Sequence, residues 1–269
     1  MSPLRLTLKD RPPQRVDLSP LTGGLKASLA QIGATPLPSG NRVIRLDELF
    51  AVSGTPGSDL ELEGDLSTFD GIGAGLGEGR VTVRGTVGAR LGAGMLGGTI
   101  EVEGDAGRYA GTGMRGGRIR IAGNAGDFLA AALPGDHQGM QGGVMLVQGN
   151  ATDRAGDRMR RGMLLIEGNA GDYCASRMVA GTIAVLGSVG RDAGLAMRRG
   201  TLLLRRPPNR LLPTFNDCGV YPLAILTLLA RSWRGYPGKF GAFPETGLRV
   251  RRLVGDLAND GRGEILLPV

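Results

Sequence analysis

The sequence predicts an all-β chain built as a β-helix, a solenoid of about seven 19-residue coils with a small N-terminal cap and a helical and extended C-terminal tail. Three observations predict it: apolar alternations recur at near-constant spacing, glycines hold fixed places within that spacing, and bulky rings are scarce. Glycine supplies 48 of the 269 residues and aromatic residues only 4%, whereas glycine ordinarily makes up roughly 7% of a chain. Such a chain is rich in tight turns and has few large side chains for a thick core.

The alternations begin at Leu60, Val81, Ile100, Ile119, Met145, Leu164, Ile183 and Leu202, in steps of 21, 19, 19, 26, 19, 19 and 19 residues. With each start counted as zero, residues 0 and 2 are apolar, and residue 4 is glycine in seven units, from Gly64 and Gly85 to Gly168 and Gly187. Residue 6 is Leu66 in the first unit and small in the next six. Met95, Met114, Met140, Met159, Met178 and Met197 occupy one equivalent place, three residues before another glycine. Period-two strands with glycine corners at a fixed period are the pattern of stacked coils, in which small and flexible side chains fill a narrow lumen. Seven coils at roughly 4.8 Å make a rod about 30–35 Å long.

The same repeat accounts for a motif with a more familiar meaning. Gly111-Thr-Gly-Met-Arg-Gly116 spells G-x-G-x-x-G, the pattern that opens a helix over a pyrophosphate in dinucleotide-binding proteins. Here Arg118-Ile-Arg-Ile-Ala-Gly123 follows with period two, and Gly92-Ala-Gly-Met-Leu-Gly97 carries the same glycines 19 residues earlier. These glycines are therefore expected to shape coil corners.

Along the chain, residues 1–59 form an N-terminal cap segment. Within it Leu18–Ile32 suggests a turn and a short helix, and Arg42–Val52 a strand leading into the first coil. The cap is expected to cover the open end of the coil stack. Residues 60–204 form the β-helix. One unit carries about seven extra residues around Ala131–His137, expected to leave the rod as a loop. Residues 205–269 form the tail: Arg205-Arg-Pro-Pro ends the repeat, Pro222–Arg234 reads as a helix apolar nearly all round, and an extended stretch or hairpin follows.

Composition narrows the function classes. The two cysteines, Cys174 and Cys218, and the single histidine, His137, do not make up a Cys/His zinc site or an iron–sulfur set. No catalytic triad or acid–base pair is evident, and neither catalytic nor metal-ligating residues are assigned. His137 is expected in a surface loop, and Cys174 as a small core residue. No run of 18 apolar residues appears, and the first residues lack a signal-peptide core, which points to a cytoplasmic, unanchored chain. The net charge is +7, carried mostly by arginine. Arg160 and Arg198 follow equivalent methionines by one residue, Arg161 and Arg199 by two. Coils stacked in register would place these four arginines along one edge, where they repel unless an acidic partner or polyanion covers them. Nucleic acid is the weaker reading, because no aromatic stacking platform is evident.

The coil pattern apolar-x-apolar-x-G-x-x-G-x-x-x-G, followed by Met-x-x-Gly, resembles the G-x-G-x-G family of β-helices. That family covers the C-terminal domain of the glutamate synthase large subunit and the β-helix subunit of formylmethanofuran dehydrogenase. The lead-in Pro36–Gly54 and the exit Met197–Leu204, followed by Leu212-Pro-Thr-Phe215, look like the formylmethanofuran dehydrogenase member, a free-standing chain of similar length. The resemblance implies a scaffold without an active site of its own. Its setting would be a formyltransferase/hydrolase or formylmethanofuran dehydrogenase complex of one-carbon metabolism, with the other subunits as partners. It binds no cofactor tightly, while the complex uses tetrahydromethanopterin and a methanofuran-type carrier with an oligoglutamate tail. Arg160, Arg161, Arg198 and Arg199 would face that tail. Two alternatives stand beside this: a glutamate synthase-like structural domain, which predicts fused catalytic domains, and a stand-alone polyanion-binding β-helix protein.

Overall fold

Each apolar alternation forms a short strand, and successive strands pair in parallel in sequence order. In the computed structural model, which describes residues 3–23, 25–244 and 247–269, these strands are Asp59–Glu63, Arg80–Arg84, Thr99–Val102, Arg118–Ile121, Gln141–Val147, Arg161–Ile166, Thr182–Val185 and Thr201–Leu204. The register is one repeat per strand: Val81 faces Ile100, Ile100 faces Ile119, and Ile183 faces Leu202. A second file of single bridges joins Leu66, Val87, Ala106, Ala125, Ala151, Ala170 and Val189. A third runs past the methionines, where the amides of Arg115, Gln141, Arg160, Val179 and Arg198 donate to the carbonyls of Met95, Met114, Met140, Met159 and Met178. Three lines of hydrogen bonds thus tie each repeat to the next.

The six methionines are fully buried. Polar side chains bind the corners in the same register. The amides of Asn124, Asn150, Asn169 and Ser188 each donate to the side-chain oxygen of Asp105, Asn124, Asn150 and Asn169, one repeat back, at 2.6–2.9 Å. A parallel ladder links Asp127, Asp153, Asp172 and Arg191. These bonds satisfy corner amides that have no strand partner.

Two glycines of the G-x-G-x-x-G stretch, Gly111 and Gly116, are needed by packing. A Cβ on Gly116 would run into the Leu96 carbonyl oxygen, so only glycine lets the two repeats approach. Gly111 sits at φ +70°, and its Cβ would collide with the Met145 methyl.

Thirteen strands make one mixed sheet. At its N-terminal end Leu4–Leu8 pairs in parallel with Asp59–Glu63 and antiparallel with Phe50–Ser53. At the other end Gly263–Pro268 pairs in parallel with Thr201–Leu204, then antiparallel with Arg249–Gly255, which pairs with Asn216–Pro222. The strand expected over Arg42–Val52 is interrupted. Strand Arg42–Arg45 gives way to a single helical turn, Leu46–Leu49, before Phe50–Ser53, because the Glu48 carboxylate accepts the Arg45 amide at 3.1 Å and caps that turn.

Two apolar clusters stabilise the chain. One lies inside the repeats. The second joins the outward residues Leu146, Leu165, Ala184, Leu203 and Leu266 to Leu226, Trp233, Phe240 and Val250. Helix Ala224–Trp233 covers this outer face with Leu226, Ala230 and Trp233, and Trp233 meets Phe240 and Phe243 edge-on at 5.1 Å. The helix is one-sided in its burial: Ile225 and Leu228 are exposed. Buried Glu167 fastens the chain beyond the helix by accepting the Lys239 amide at 2.7 Å.

Candidate anion-binding groove

The residue just before five of the six core methionines, all but Met140, sits in the left-handed conformation. Gly94 and Gly113 fill that place early in the stack, and Arg158, Arg177 and Ala196 fill it later, at φ between 53° and 63°. The corner therefore keeps one backbone shape while its side chain changes from none to guanidinium.

Arg177 is held from below. Its Nε and Nη2 donate to the Asp157 carboxylate at 2.8 and 2.5 Å, and Ser176 Oγ donates to the same group at 2.7 Å. Asp157 is 2% exposed, so this charge is committed to Arg177 and Ser176. The Asp157 hydrogen bond holds the Arg177 pKa above its usual value against the opposing effect of burial.

The seven-residue insertion supplies the wall beside it. Met140 N–H donates to the Ala130 carbonyl at 2.8 Å, and Gly139 N–H to the Arg158 carbonyl at 3.0 Å, which closes the base of the loop and restores the core register. Asp136 and His137 project from it, exposed. His137 Nδ1 lies 3.2 Å from Arg158 Nη1. Because the guanidinium has donors and no acceptor, Nδ1 is the accepting nitrogen.

His137, Arg158, Arg177, Arg198 and Asn259 line one groove of about 410 Å³. Arg198, Arg199, Asn259, Asp260 and Arg262 line an adjoining hollow of about 490 Å³. The turn at 256–262 reaches the groove because Arg262 N–H donates to the Arg198 carbonyl at 2.7 Å, adding one more rung. Of the four arginines singled out from the sequence, Arg198 lines both spaces, Arg199 lines the hollow, and Arg160 and Arg161 are exposed outside them. Arg160 and Arg198 stand two rungs apart, with Val179 between them.

Sequence reasoning grouped Arg158 with Arg160 and Arg161 in one coil corner but left it out of the candidate set, and it missed Arg177, Asn259 and Arg262. The left-handed place before the methionine was the available signal for Arg158 and Arg177. Arg158, Arg160, Arg161, Arg198, Arg199 and Arg262 have no carboxylate ion-pair partner among the described residues, whereas Arg191 and Arg251 are paired at 2.7 and 2.5 Å. Unneutralised guanidinium groups on neighbouring rungs make a local excess of positive charge that attracts anions.

A separate file lies where residues just before Ala110, Leu129, Ala155 and Cys174 stack in register. Tyr109 stacks on Phe128 at 4.8 Å, and Arg154 sits 5.9 Å from Phe128 and 4.6 Å from Tyr173. The sequence reading found no stacking rings, because residues 19 and 26 apart become neighbours only through the register.

Among the described residues no group of three His, Cys, Asp or Glu side chains is placed to hold a metal ion, and no helix is long and apolar enough to cross a membrane.

The GXGXG motif family model matches residues 69–221. The chain belongs to the GXGXG motif family. It is also similar to a chain in the X-ray crystal structure of the formyltransferase/hydrolase complex (FhcABCD) from Methylorubrum extorquens in complex with methylofuran. The TM-score is 0.91 and the identity 40%, over 98% of this chain and 99% of that one. No curated protein matches the sequence. Within the GXGXG family, the likeness to the formyltransferase/hydrolase complex expected from the lead-in and exit segments is thus found across nearly the whole chain.

Proposed function

We propose that this chain is a non-catalytic β-helix scaffold subunit of a cytoplasmic formyltransferase/hydrolase complex in tetrahydromethanopterin- and methanofuran-dependent one-carbon metabolism. Residues 1–59 cap it, residues 60–204 form the solenoid, and residues 205–269 form the tail. The observation that carries this reading is the 40% identity, over 98% of the chain, to a chain of the FhcABCD complex. The repeat register supports the solenoid: parallel strands, single bridges and methionine rungs all advance by one repeat.

The other subunits of the complex are the partners. The transfer and hydrolysis chemistry belongs to them, and this chain fixes their spacing. The face bearing Arg160, Arg161, Arg198 and Arg199 contacts the polyglutamyl tail of the carrier. Its support is the missing countercharge, since each guanidinium can take a charge-assisted hydrogen bond worth about 1.5–3 kcal/mol.

The test is purification of the tagged chain from its own host at moderate salt. Partner chains in the eluate, with formyltransferase and hydrolase activity that this chain alone lacks, are the expected result. A lone chain with a bound small molecule would favour a stand-alone binding protein and overturn the scaffold.

A further inference from the structure

The corner before Ala110, Leu129, Ala155 and Cys174 carries four large side chains in succession, Tyr109, Phe128, Arg154 and Tyr173, each at φ between 60° and 62°. Residues with a Cβ avoid that left-handed conformation, and the corner before the methionines meets it with Gly94 and Gly113 on early rungs. Bulky groups held there against the backbone's preference point to a task for the side chains. All four are half-buried, so their outer edges reach solvent. One residue earlier, on the same rungs, stand Arg108, Asp127, Asp153 and Asp172, and Arg191 follows on the next. Rings and carboxylates thus run side by side along one strip of the stack.

The strip already contains both contacts that a guanidinium can make on it. Arg154 lies 4.6 Å from the Tyr173 ring and 5.9 Å from Phe128, within cation–π range. Arg191 donates from Nε and Nη2 to Asp172 Oδ2 at 3.0 and 2.7 Å. Asp127 and Asp153 hold the place of Asp172 on the two preceding rungs, and each gives one oxygen to the amide one rung on. Neither has an ion-pair partner among the described residues, whereas Asp172 does. Tyr109 stacks on Phe128 at 4.8 Å, and among the described residues no cation lies over its ring. We propose that this strip seats an arginine-bearing segment of a partner subunit, one guanidinium lying against Tyr109 and another pairing with Asp127 and Asp153. The proposal rests on the scaffold reading and names the surface and the chemistry that hold one partner. Carboxylates beside the rings repel a phosphate backbone, which sets nucleic acid aside. Arginine is favoured over lysine because its planar group both stacks on rings and forks to carboxylates.

The test uses the complex purified from its host through the tagged chain, with Tyr109 replaced by the photo-cross-linking amino acid p-benzoylphenylalanine. After irradiation the joined peptides are sequenced by mass spectrometry. The expected result is a cross-link to one segment of a different subunit, with arginine beside the point of attachment. A second measurement keeps Tyr109 in place. In the double variant Asp127→Asn and Asp153→Asn, the same subunit should leave the immobilised chain at least about tenfold faster at a fixed low salt concentration. Glu78→Gln, at the exposed ion pair with Lys26, leaves that rate unchanged, and thermal melts check that the variants fold.

A cross-link to a segment without arginine, or to a second copy of this chain, would overturn the proposal. So would partner subunits that co-purify with no cross-link at Tyr109. An unchanged rate in the double variant would overturn the carboxylate contacts and with them the arginine assignment. A tagged chain that brings no partner down would overturn the scaffold reading, and this proposal with it.

Discussion

Early and late strands share one register but treat their outer surface in opposite ways. At the second residue of each alternation stand Glu61, Thr82, Glu101 and Arg120, and then Leu146, Leu165, Ala184 and Leu203. The first four face outward among polar partners, as when Arg80 pairs with Glu101 at 2.8 Å. The last four lie under the C-terminal helix and Trp233. The inner row hardly changes across this boundary. The repeat thus specifies the stack, and one outward row decides independently what the stack carries.

The largest effect expected to test that contrast is Trp233→Ala. The indole is fully buried and joins two rings and Met163, so its loss should cost about 3–5 kcal/mol in urea unfolding. Leu165→Ala, in the same outer cluster, should cost about 2–5 kcal/mol. Glu101→Ala at the equivalent place should change stability by no more than about 0.5 kcal/mol. Equal costs at the two places would break the comparison.

A sharper version uses two corner glycines. Gly116→Val drives a side chain into the Leu96 carbonyl and should cost about 1–3 kcal/mol or more. Gly94→Ala meets open space at φ +63°, where Arg158, Arg177 and Ala196 already sit, and should cost only about 1–2 kcal/mol. Asn150→Ala removes the acceptor for the Asn169 amide and should cost about 0.5–1.5 kcal/mol, seen as faster amide exchange at that rung.

Ionisation provides two smaller tests. Burial pushes the Cys174 thiol up to about 12, so a maleimide should label Cys218 in the native chain and reach Cys174 only on unfolding. Burial pushes the Asp70 carboxyl up, but the Arg15 hydrogen bond, the Ala89 amide and the nearby arginine charges together bring it below its usual value. A depressed folded value makes this contribution fully present above the unfolded value near 3.9 and lost as pH falls below it. Asp70→Asn should therefore flatten the acid limb of the stability curve.

Much of the fold was legible because glycine, methionine and apolar alternation recur in one register, and that register is itself the hydrogen-bond pattern. The outer row was legible too: Met145-Leu-Val147, Leu164-Leu-Ile166 and Leu202-Leu-Leu204 are continuous apolar runs, the mark of strands covered on both faces. The break inside Arg42–Val52 escaped because a side-chain cap at Glu48 overrode an apolar pattern. The groove was legible only in part. Arg177 reaches back 20 residues to Asp157, and Asn259 and Arg262 arrive by way of the tail, so no local spacing announces them.

The pairing of every residue with its counterpart one repeat on has a consequence for dimensions. The parallel strands advance by one repeat at a time, so the length of the sheet changes only in whole increments of about 4.8 Å. Excising residues 164–182 would join Met163 to Ile183, its equivalent neighbour, and bring everything past that point one increment closer. It would also remove the Arg177 rung, so that span and charge would shorten together.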